Sequence, residues 1–503
     1  MDTKHSRRQM VKPAEVILVN LPWKRGDNWG VRAGSRWPHI KNKGEEMYLP
    51  FPFFLAYTAA VLLQQGIRAQ LIDAIAEAIP EDAFAALVAQ AQPRLLVAEV
   101  STPSLANDLA ILRRIKRAGM RIAVCGMDFS IRTPLFFEQN DFIDYAMIGE
   151  YEYTSLQLYE YLHGGAGLEK IDGLVYRDNG HIRVNPARSP ITDLDALPWP
   201  VREGLPMASY IDAPGNLKTP SVQMLASRGC PFGCTFCAWP QLVYNNNQYR
   251  MRRPRAIVDE MEYLVAGGTF RSVYFDDDTF NINKSHVLEI CAEIKRRGLT
   301  APWAVMARAD LMDEETLTAM RRAGLYSVKY GVESADQGLL DAVDKHMDLE
   351  KSARMIRLTK ALGIKIHLSF VFGLPGETPQ TIQKTIEFAM GLEPHTVQFS
   401  ILTPYPGTAY YRRLQSQGDI VSQDWSDYDG ASRSVIKTAT LAAGDLEKAR
   451  QEALHAWRKY RRSKKTLITM PFDKELRLAW CNNIKNHGAL HTLVKTARYV
   501  ANM

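Results

Sequence analysis

The sequence predicts an α/β protein with an open parallel sheet first, a partial barrel of six strand–helix units second, and a helical C-terminal region last. Short apolar runs alternate with amphipathic stretches along residues 14–410, which is the pattern of consecutive βα units. A proline-punctuated segment, residues 191–206, interrupts this alternation and separates an earlier series from a later one. After about residue 410 the strand signal fades, and helical patterns dominate.

The first series predicts a Rossmann-like domain over residues 1–160. Its candidate strands are the apolar runs 14–20, 68–74, 94–100 and 121–126. Ligands of such sheets bind at the carboxyl ends of the strands. The segments that follow the predicted strands should therefore share one rim, and they are 73–77, 101–104, 126–130 and 149–154.

The second series predicts a partial (β/α)6 barrel of the TIM-like type over residues 216–410, after a crossover linker at 161–215. Its candidate strands are 221–227, 272–278, 303–309, 326–334, 365–376 and 396–407. Barrels of this kind place their chemistry at the carboxyl ends of the strands. We expect residues 411–503 to form a basic helical region.

Composition favours a cytoplasmic protein of two or three domains. The chain has 503 residues, of which 46% are hydrophobic and 23% charged. The first residues are polar and are followed by no secretory signal, and the longest apolar stretch, 49–63, contains two prolines and is too short to span a membrane. Six cysteines, three of them within eight residues, do not resemble a disulfide framework.

The net charge of +7 is concentrated at the C-terminal end. Residues 448–503 carry thirteen Lys and Arg against three Asp and Glu, so this region is strongly basic. Such a region can contact anionic lipid, nucleic acid or an acidic substrate, or it can be the solvated face of a helix. Peripheral membrane contact is therefore an open alternative, while nothing else in the sequence favours nucleic acid as a partner.

Three cysteines form a C-x3-C-x2-C motif at Cys230, Cys234 and Cys237. Structural zinc takes four protein ligands, and iron–sulfur clusters are commonly held by four cysteines. The nearest histidines, His181 and His286, are far from the motif and have no paired spacing. A four-iron cluster on three cysteines leaves one iron open to a substrate or cofactor. A zinc-binding adaptor without enzymatic activity is the alternative of a different class.

Four further motifs accompany the cysteines at predicted strand ends. They are "YFDDDTF" (274–280), "YGVESADQ" (330–337), "VFGLPGET" (371–378) and "TPYPGT" (403–408). With Phe236 just before the third cysteine, this set resembles the radical S-adenosylmethionine superfamily. The preceding sheet domain makes residues 14–410 similar to the cobalamin-binding subgroup of that superfamily.

The resemblance implies three cofactors: a [4Fe-4S] cluster, S-adenosylmethionine and cobalamin. It assigns three irons to the cysteines and the fourth to S-adenosylmethionine. It places the acidic loop near the amino group of that cofactor, the "ES" pair near its ribose and the glycine-rich strand end near its adenine. The contact residues so implied are Phe236, Asp276, Asp277, Asp278, Glu333, Ser334, Gly373 and Gly376. One departure is Ala335, where the family usually has glycine.

Cobalamin would bind the rim of the first sheet. The sequence lacks the D-x-H-x-x-G motif that supplies a histidine to cobalt, since Asp73 is followed by "AIA". The resemblance therefore implies a cobalt without that histidine, with contacts from Asp73, Ser101, Thr102, Gly126, Gly149 and Glu150. The basic loop 30–43 could cover the corrin or bind a substrate phosphate. Alternatively, the sheet domain binds no corrin and is structural or recognises substrate.

The resemblance implies an enzyme that generates a 5′-deoxyadenosyl radical and methylates an unactivated carbon of a small or lipid-like substrate. It also implies an electron donor such as flavodoxin or ferredoxin. A cyclase, ring-contracting or oxidising enzyme is the main rival, because "CAWPQ" (237–241) resembles enzymes of hopanoid tailoring. A tRNA methylthiotransferase is disfavoured, because its second cluster needs several N-terminal cysteines and only Cys125 precedes the motif.

Overall fold

The structure is a computed structural model that describes residues 13–41, 48–431 and 433–464, with side chains described to residue 461. Most of the predicted basic region and part of the basic loop 30–43 lie outside these residues. The described residues form two large, mainly parallel sheets flanked by helices, followed by a C-terminal helix.

The first part of the chain forms a Rossmann-like domain. Its strands are β1 Val16–Asn20, β2 Lys24–Arg25, β3 Asn28–Val31, β4 His39–Ile40, β5 Ala69–Asp73, β6 Leu95–Val100, β7 Arg121–Gly126, β8 Tyr145–Met147, β9 Leu174–Asp178 and β10 His181–Val184. Its helices are α1 Phe53–Gln64, α2 Glu81–Ala91, α3 Leu105–Ile115, α4 Pro134–Gln139 and α5 Glu152–Tyr161.

Seven of these strands form one sheet in the order β10-β9-β8-β7-β6-β1-β5. Strands β5, β1, β6, β7 and β8 are parallel, and every residue of β1 and β6 is buried because helices cover both faces. The chain order reverses between β1 and β6, which makes this point of the rim a topological switch point. The predicted Rossmann-like sheet is confirmed.

The sheet extends further along the chain than the sequence predicted. Strands β9 and β10 form an antiparallel hairpin that continues the sheet within the segment expected to be a crossover linker. The turn is Asn179–Gly180, with φ values of 47° and 84°. Asn-Gly is the preferred dipeptide for a two-residue turn with two positive φ angles. This dipeptide is the local signal for the hairpin.

The second part of the chain forms the partial barrel. Its strands are β11 Ser221–Met224, β12 Ser227–Arg228, β13 Arg250–Met251, β14 Ser272–Phe275, β15 Trp303–Ala307, β16 Leu325–Glu333, β17 Lys365–Phe372 and β18 Thr396–Ile401. Its helices are α6 Pro254–Ala266, α7 Lys284–Arg296, α8 Glu314–Arg322, α9 Gln337–Asp341, α10 Leu349–Ala361, α11 Pro379–Gly391 and α12 Ala409–Gln417.

Six parallel strands in the order β11-β14-β15-β16-β17-β18 confirm the predicted partial barrel. Strand β17 alternates strictly, with Ile366 and Leu368 fully buried in the apolar core and Ser369 and Val371 half-buried. Since successive side chains of a strand point to opposite faces, the half-buried set faces the inside of the barrel. The inner face is therefore available to a ligand.

The described C-terminal helix is α13 Ala443–Lys464, which packs against β18 and α11. Leu446, Ala449, Ala453 and Trp457 are its buried residues. The described part of the basic region thus has an apolar face that belongs to the protein core. None of the described helices combines the length and apolar character needed to cross a membrane.

Candidate functional site

The three cysteines lie on the loop between β12 and β13, two short strands that pair antiparallel. The loop leaves β12 through Gly229, whose φ is 87°. A Cβ at this position would lie 2.0 Å from the carbonyl oxygen of Gln248, so the close approach of the two chain segments requires glycine. Cys230, Cys234 and Cys237 all line one cavity of about 240 Å³ at the top of the barrel.

The three thiols are half-buried and lie beside the cavity together with cationic side chains. Burial raises the pKa of each thiol, most strongly that of Cys237, and Lys345 and Arg308 oppose this effect at Cys234. Within the described residues, no three His, Cys, Asp or Glu side chains are placed to hold a single metal ion. Three cysteines that line one cavity fit a cluster that places each thiolate on a different iron.

The three carboxylates of the acidic loop after β14 have different hydrogen-bond partners. Asp277 accepts hydrogen bonds from the Ala226 backbone N–H (2.8 Å) and the Ser227 hydroxyl (2.5 Å), so it supports the start of the cysteine loop. Burial raises the pKa of Asp277 to about 7. Asp278 accepts a hydrogen bond from the Gly229 N–H at 3.0 Å. Among the three described carboxylates, Asp278 is the one that lines the cavity.

Asp276 is paired with a residue that sequence reasoning did not assign. Arg36, on the loop after β3, forms an ion pair with Asp276 at 2.7 Å and lies 3.6 Å from Asp278. Its guanidinium also lies 5.5 Å from the ring centroid of Trp239 and lines the cavity. The first domain therefore contributes a cation to the cavity of the second. The only signal in the sequence was the basic character of the loop 30–43.

Glu333 lies where the "GVES" motif predicts, at the end of β16, and it lines the cavity. Its φ of 74° is unusual for a residue with a side chain and coincides with an irregularity in the β16–β17 register. The carboxylate pairs with Lys345 at 3.1 Å. Ser334 is fully buried and accepts a hydrogen bond from the Asp336 N–H at 3.1 Å, so it shapes the turn and is absent from the described cavity lining.

The "GLPGET" strand end lies beside the cavity without lining it. Gly373 and Gly376 have φ values of 105° and 84°, and neither is among the described lining residues. The carboxylate of Glu377 accepts hydrogen bonds from the backbone N–H groups of Gly373 and Leu374, and this closes the turn. Earlier β17 residues line the cavity instead. Phe236, in the cysteine loop, is among the lining residues.

The residues predicted for cobalamin lie along the rim of the first sheet. Asp73 accepts hydrogen bonds from the Asn20 amide (2.8 Å) and the Tyr210 hydroxyl (3.0 Å). Ser101 contacts the hydroxyl of Ser104 at 2.8 Å. Thr102 and Gly149 follow β6 and β8, Gly126 is the last residue of β7, and Gly126 and Gly149 have φ values of 111° and 84°. These residues share the predicted rim and are absent from the described lining of the barrel cavity.

Glu150 differs from the other rim residues. Its two carboxylate oxygens bind Arg228 at 3.0 Å and Arg250 at 2.6 Å, and the Ile191 N–H donates to it at 2.8 Å. The side chain is 3% exposed. Both carboxylate oxygens are thus engaged by residues outside the first domain, and the predicted corrin contact of Glu150 stays a prediction.

Residues 224–389 match the family model described as the Radical SAM superfamily. The chain carries a radical SAM domain. This radical SAM domain contains all three cysteines, the acidic loop and Glu333. The match begins at the end of β11 and ends within α11, so it covers most of the barrel.

Relatives with known names include a methyltransferase and a cyclase. An uncharacterized methyltransferase from Pyrococcus horikoshii is 28% identical over 379 residues, covering 75% of this chain and 81% of that protein. An anaerobic magnesium-protoporphyrin IX monomethyl ester cyclase from Rubrivivax gelatinosus is 28% identical over 406 residues, covering 78% of this chain and 71% of the cyclase.

The same architecture occurs in a solved structure. The radical S-adenosylmethionine methyltransferase TsrM from Kitasatospora setae, with cobalamin and a [4Fe-4S] cluster bound, aligns with a TM-score of 0.65 at 19% identity. The alignment covers 89% of each chain. The likeness therefore extends beyond the radical SAM domain to the sheet domain, and at this identity it concerns the fold.

The cavity of the radical SAM domain also contains cations that the motifs did not predict. Arg308 forms an ion pair with Asp310 at 2.8 Å, and its guanidinium lies 3.8 Å from the ring centroid of Phe232. Lys329, on the inner face of β16, is paired with Asp212 at 3.4 Å. A barrel interior is usually apolar, so a buried cation on an inward-facing strand position was the available signal.

Proposed function

We propose that the chain is a cobalamin-dependent radical SAM methyltransferase that methylates a carbon atom of a small molecule. The observation that carries this proposal is the cavity at the top of the barrel, into which all three cysteines open. Three cysteine ligands leave one iron of a four-iron cluster available to S-adenosylmethionine. The sequence relation to a methyltransferase favours methyl transfer as the outcome.

Residues of the cavity suit the polar groups of S-adenosylmethionine. Glu333 would accept hydrogen bonds from ribose hydroxyls, and Asp278 would accept from the ammonium group. Lys345 and Arg308, which lie beside Cys234, would neutralise the carboxylate. The bound cluster and cofactor would supply one-electron reduction and hydrogen abstraction, while the protein orients the groups and excludes water.

The rim of the sheet domain suits cobalamin. Gly126 and Gly149 have positive φ angles at the ends of β7 and β8, where a large ligand can approach the backbone closely. Sequence reasoning predicts no histidine under cobalt, since Asp73 is followed by "AIA". The fold shared with TsrM, which binds both cobalamin and the cluster, supports this part of the proposal.

A cyclase is the second candidate, favoured by the relation to the magnesium-protoporphyrin cyclase. Aromatic side chains that include Trp37, Phe232, Trp239 and Tyr405 line the cavity, and they would suit a flat substrate under either proposal.

Flavodoxin or ferredoxin is the proposed electron donor. We also propose that the basic C-terminal region contacts anionic membranes, and absence of binding to anionic vesicles would contradict this.

The central experiment is anaerobic reconstitution with iron, sulfide and cobalamin, followed by S-adenosylmethionine and a reductant. We expect 5′-deoxyadenosine from the intact protein, with a substrate-dependent increase in S-adenosylhomocysteine when cobalamin is remethylated. Deoxyadenosine together with substrate turnover but without S-adenosylhomocysteine would favour the cyclase. About one zinc per chain, without iron or sulfide after reconstitution, would end the radical SAM proposal.

A further inference from the structure

Glu150 connects the first domain to both strands that carry the cysteine loop. One carboxylate oxygen lies 3.0 Å from Arg228 Nη1, and the other lies 2.6 Å from Arg250 Nη1. Arg228 is in β12 and Arg250 is in β13, and the two residues are direct partners in the antiparallel register. A single carboxylate therefore binds across the base of the cysteine loop.

The loop begins directly after this contact. Cys230 follows Arg228 by two residues, and Gly149, at the rim of the first sheet, precedes Glu150 directly. The side chain of Glu150 thus lies one residue from the proposed cobalamin rim and contacts an arginine two residues from the first cysteine.

The contact is buried and electrically balanced. Arg228, Arg250, Glu150 and Glu152 have side chains that are at most 5% exposed, and Glu152 pairs with Arg228 at 2.7 Å. Burial raises the pKa of Glu150, but Arg228 and Arg250 outweigh it, so the pKa is lowered from its ordinary value. The carboxylate is therefore ionised at neutral pH, as the two ion pairs require.

Aromatic rings hold the two guanidinium groups in place. The Arg228 guanidinium lies 4.9 Å from the ring centroid of Phe54 and 4.7 Å from that of Tyr57, both in α1. The Arg250 guanidinium lies 5.4 Å from the ring of Tyr244. Cation–π contacts of this kind fix orientation as well as distance. The two arginines at the base of the loop are therefore held by aromatic as well as ionic contacts.

We propose that Glu150 is a positioning residue that sets the cysteine loop against the rim of the first sheet. It acts through Arg228 and Arg250 and contacts neither substrate nor cofactor. Its effect on the loop follows from the contacts alone, whereas its effect on coupling between the two cofactor sites rests on the proposed function. Losing the carboxylate leaves two buried cations without this partner, a change that buried ion pairs tolerate poorly.

The first test measures backbone exchange in the full chain. We expect Glu150→Gln to speed amide hydrogen exchange in residues 227–240 by about tenfold or more, because the base of the loop loses its ion pairs to the first domain. Glu260→Gln is the matched control, because Glu260 and Arg252 form a similarly buried ion pair (2.5 Å) that stays within the barrel. Equal exchange in wild type and Glu150→Gln, or equal acceleration in both variants, would overturn the proposal.

The second test separates positioning from general damage. In the reconstituted enzyme we expect Glu150→Gln to retain its iron and sulfide, and to lower methylated product per 5′-deoxyadenosine about tenfold. Glu150→Asp, which keeps the charge, should recover most of this ratio. An unchanged ratio, or loss of both products in proportion, would refute the coupling role. If no methylation is found in the wild type, the proposed function fails, while the exchange test still decides the positioning role.

If Glu150→Gln fails to fold, the variant Arg250→Lys tests the same ion pair by changing the partner in the barrel domain. Lysine keeps the charge but loses the planar donor group that also binds the Ile191 carbonyl at 2.8 Å. We expect faster exchange in residues 227–240 with near-native thermal stability. Native exchange rates in this variant would overturn the proposal.

Discussion

Arg36 of the sheet domain forms an ion pair with Asp276 at the carboxyl end of β14, with 2.7 Å between Nη1 and Oδ1. The guanidinium also donates to the backbone carbonyl of Asp276 at 2.8 Å. Burial raises the pKa of Asp276 to about 6, although Arg36 opposes the shift. The ion pair between the two domains is therefore present above pH 6 and weakens as the pH falls below it.

Replacing Arg36 by Met should lower S-adenosylmethionine cleavage about tenfold and shift its acidic limb to higher pH. Loss of the cation raises the pKa of Asp276 further, so the carboxyl group stays protonated closer to neutrality. The measurement is the pH profile of 5′-deoxyadenosine formation. Arg25→Met is the control, since Arg25 is exposed and donates to the Ser426 carbonyl away from the cavity. If the acidic limb of the pH profile is the same in Arg36→Met and wild type, Arg36 does not lower the pKa of Asp276 as proposed.

Replacing Cys234 by Ala should abolish the reconstituted cluster, because one of its three protein ligands is lost. Iron and sulfide analysis and the visible absorption of the cluster provide the measurement. Cys291→Ala is the matched control, since Cys291 is buried in the core and lies outside the cavity lining. The control should keep its cluster and lose about 1 kcal/mol of stability. Full cluster content in Cys234→Ala would disprove the ligand assignment.

Glu333→Gln and Lys345→Met should each weaken S-adenosylmethionine binding about tenfold, consistent with the loss of one charge-assisted hydrogen bond. Equilibrium dialysis of the cluster-loaded protein measures this affinity. Glu350→Gln is the control, because Glu350 pairs with Arg354 on the surface and is 86% exposed. Its affinity should equal that of the wild type. The ribose assignment fails if Glu333→Gln binds equally well.

Glu377→Gln should flatten the pH dependence of thermal stability. Burial raises the pKa of Glu377 from 4.5 to about 7. Because the folded-state pKa is the higher one, folding favours the protonated carboxyl, and stability falls as pH rises from about 4.5 to 7. The loss is on the order of 3 kcal/mol for a shift of this size. Melting temperatures at pH 5.5 and 8 measure the slope, and an equal slope in wild type and variant would refute this prediction.

The parallel strands and the cysteine motif were predictable because their signals are local. A buried strand between helices appears as a short apolar run, and β1, β6 and β7 were found in this way. Strands β9 and β10 were missed because they are short and partly exposed, and their Asn-Gly turn lies in a segment read as a linker. The placement of Glu333 followed from a motif at a strand end.

The partners of charged side chains were not predictable in the same way. Asp276 and Glu150 were predicted as cofactor contacts, and their ion pairs with Arg36 and Arg228 of the opposite domain were not predicted. The residues of the first pair are separated by 240 positions in the chain, so no local pattern records their contact. The cations Arg308 and Lys329 were missed for a different reason, since each is a single charge in a strand or at its end and belongs to none of the motifs.

The amino-acid sequence by itself determined the class of fold, the three thiols and the motifs at the strand ends, because strand periodicity and ligand spacing are short-range properties. Only the tertiary structure decided which carboxylates remain available to a ligand. Domain packing brings distant arginines to Asp276 and Glu150, and burial away from water makes such pairing necessary. Asp278 and Glu333 line the cavity, whereas Glu150 binds the two domains together.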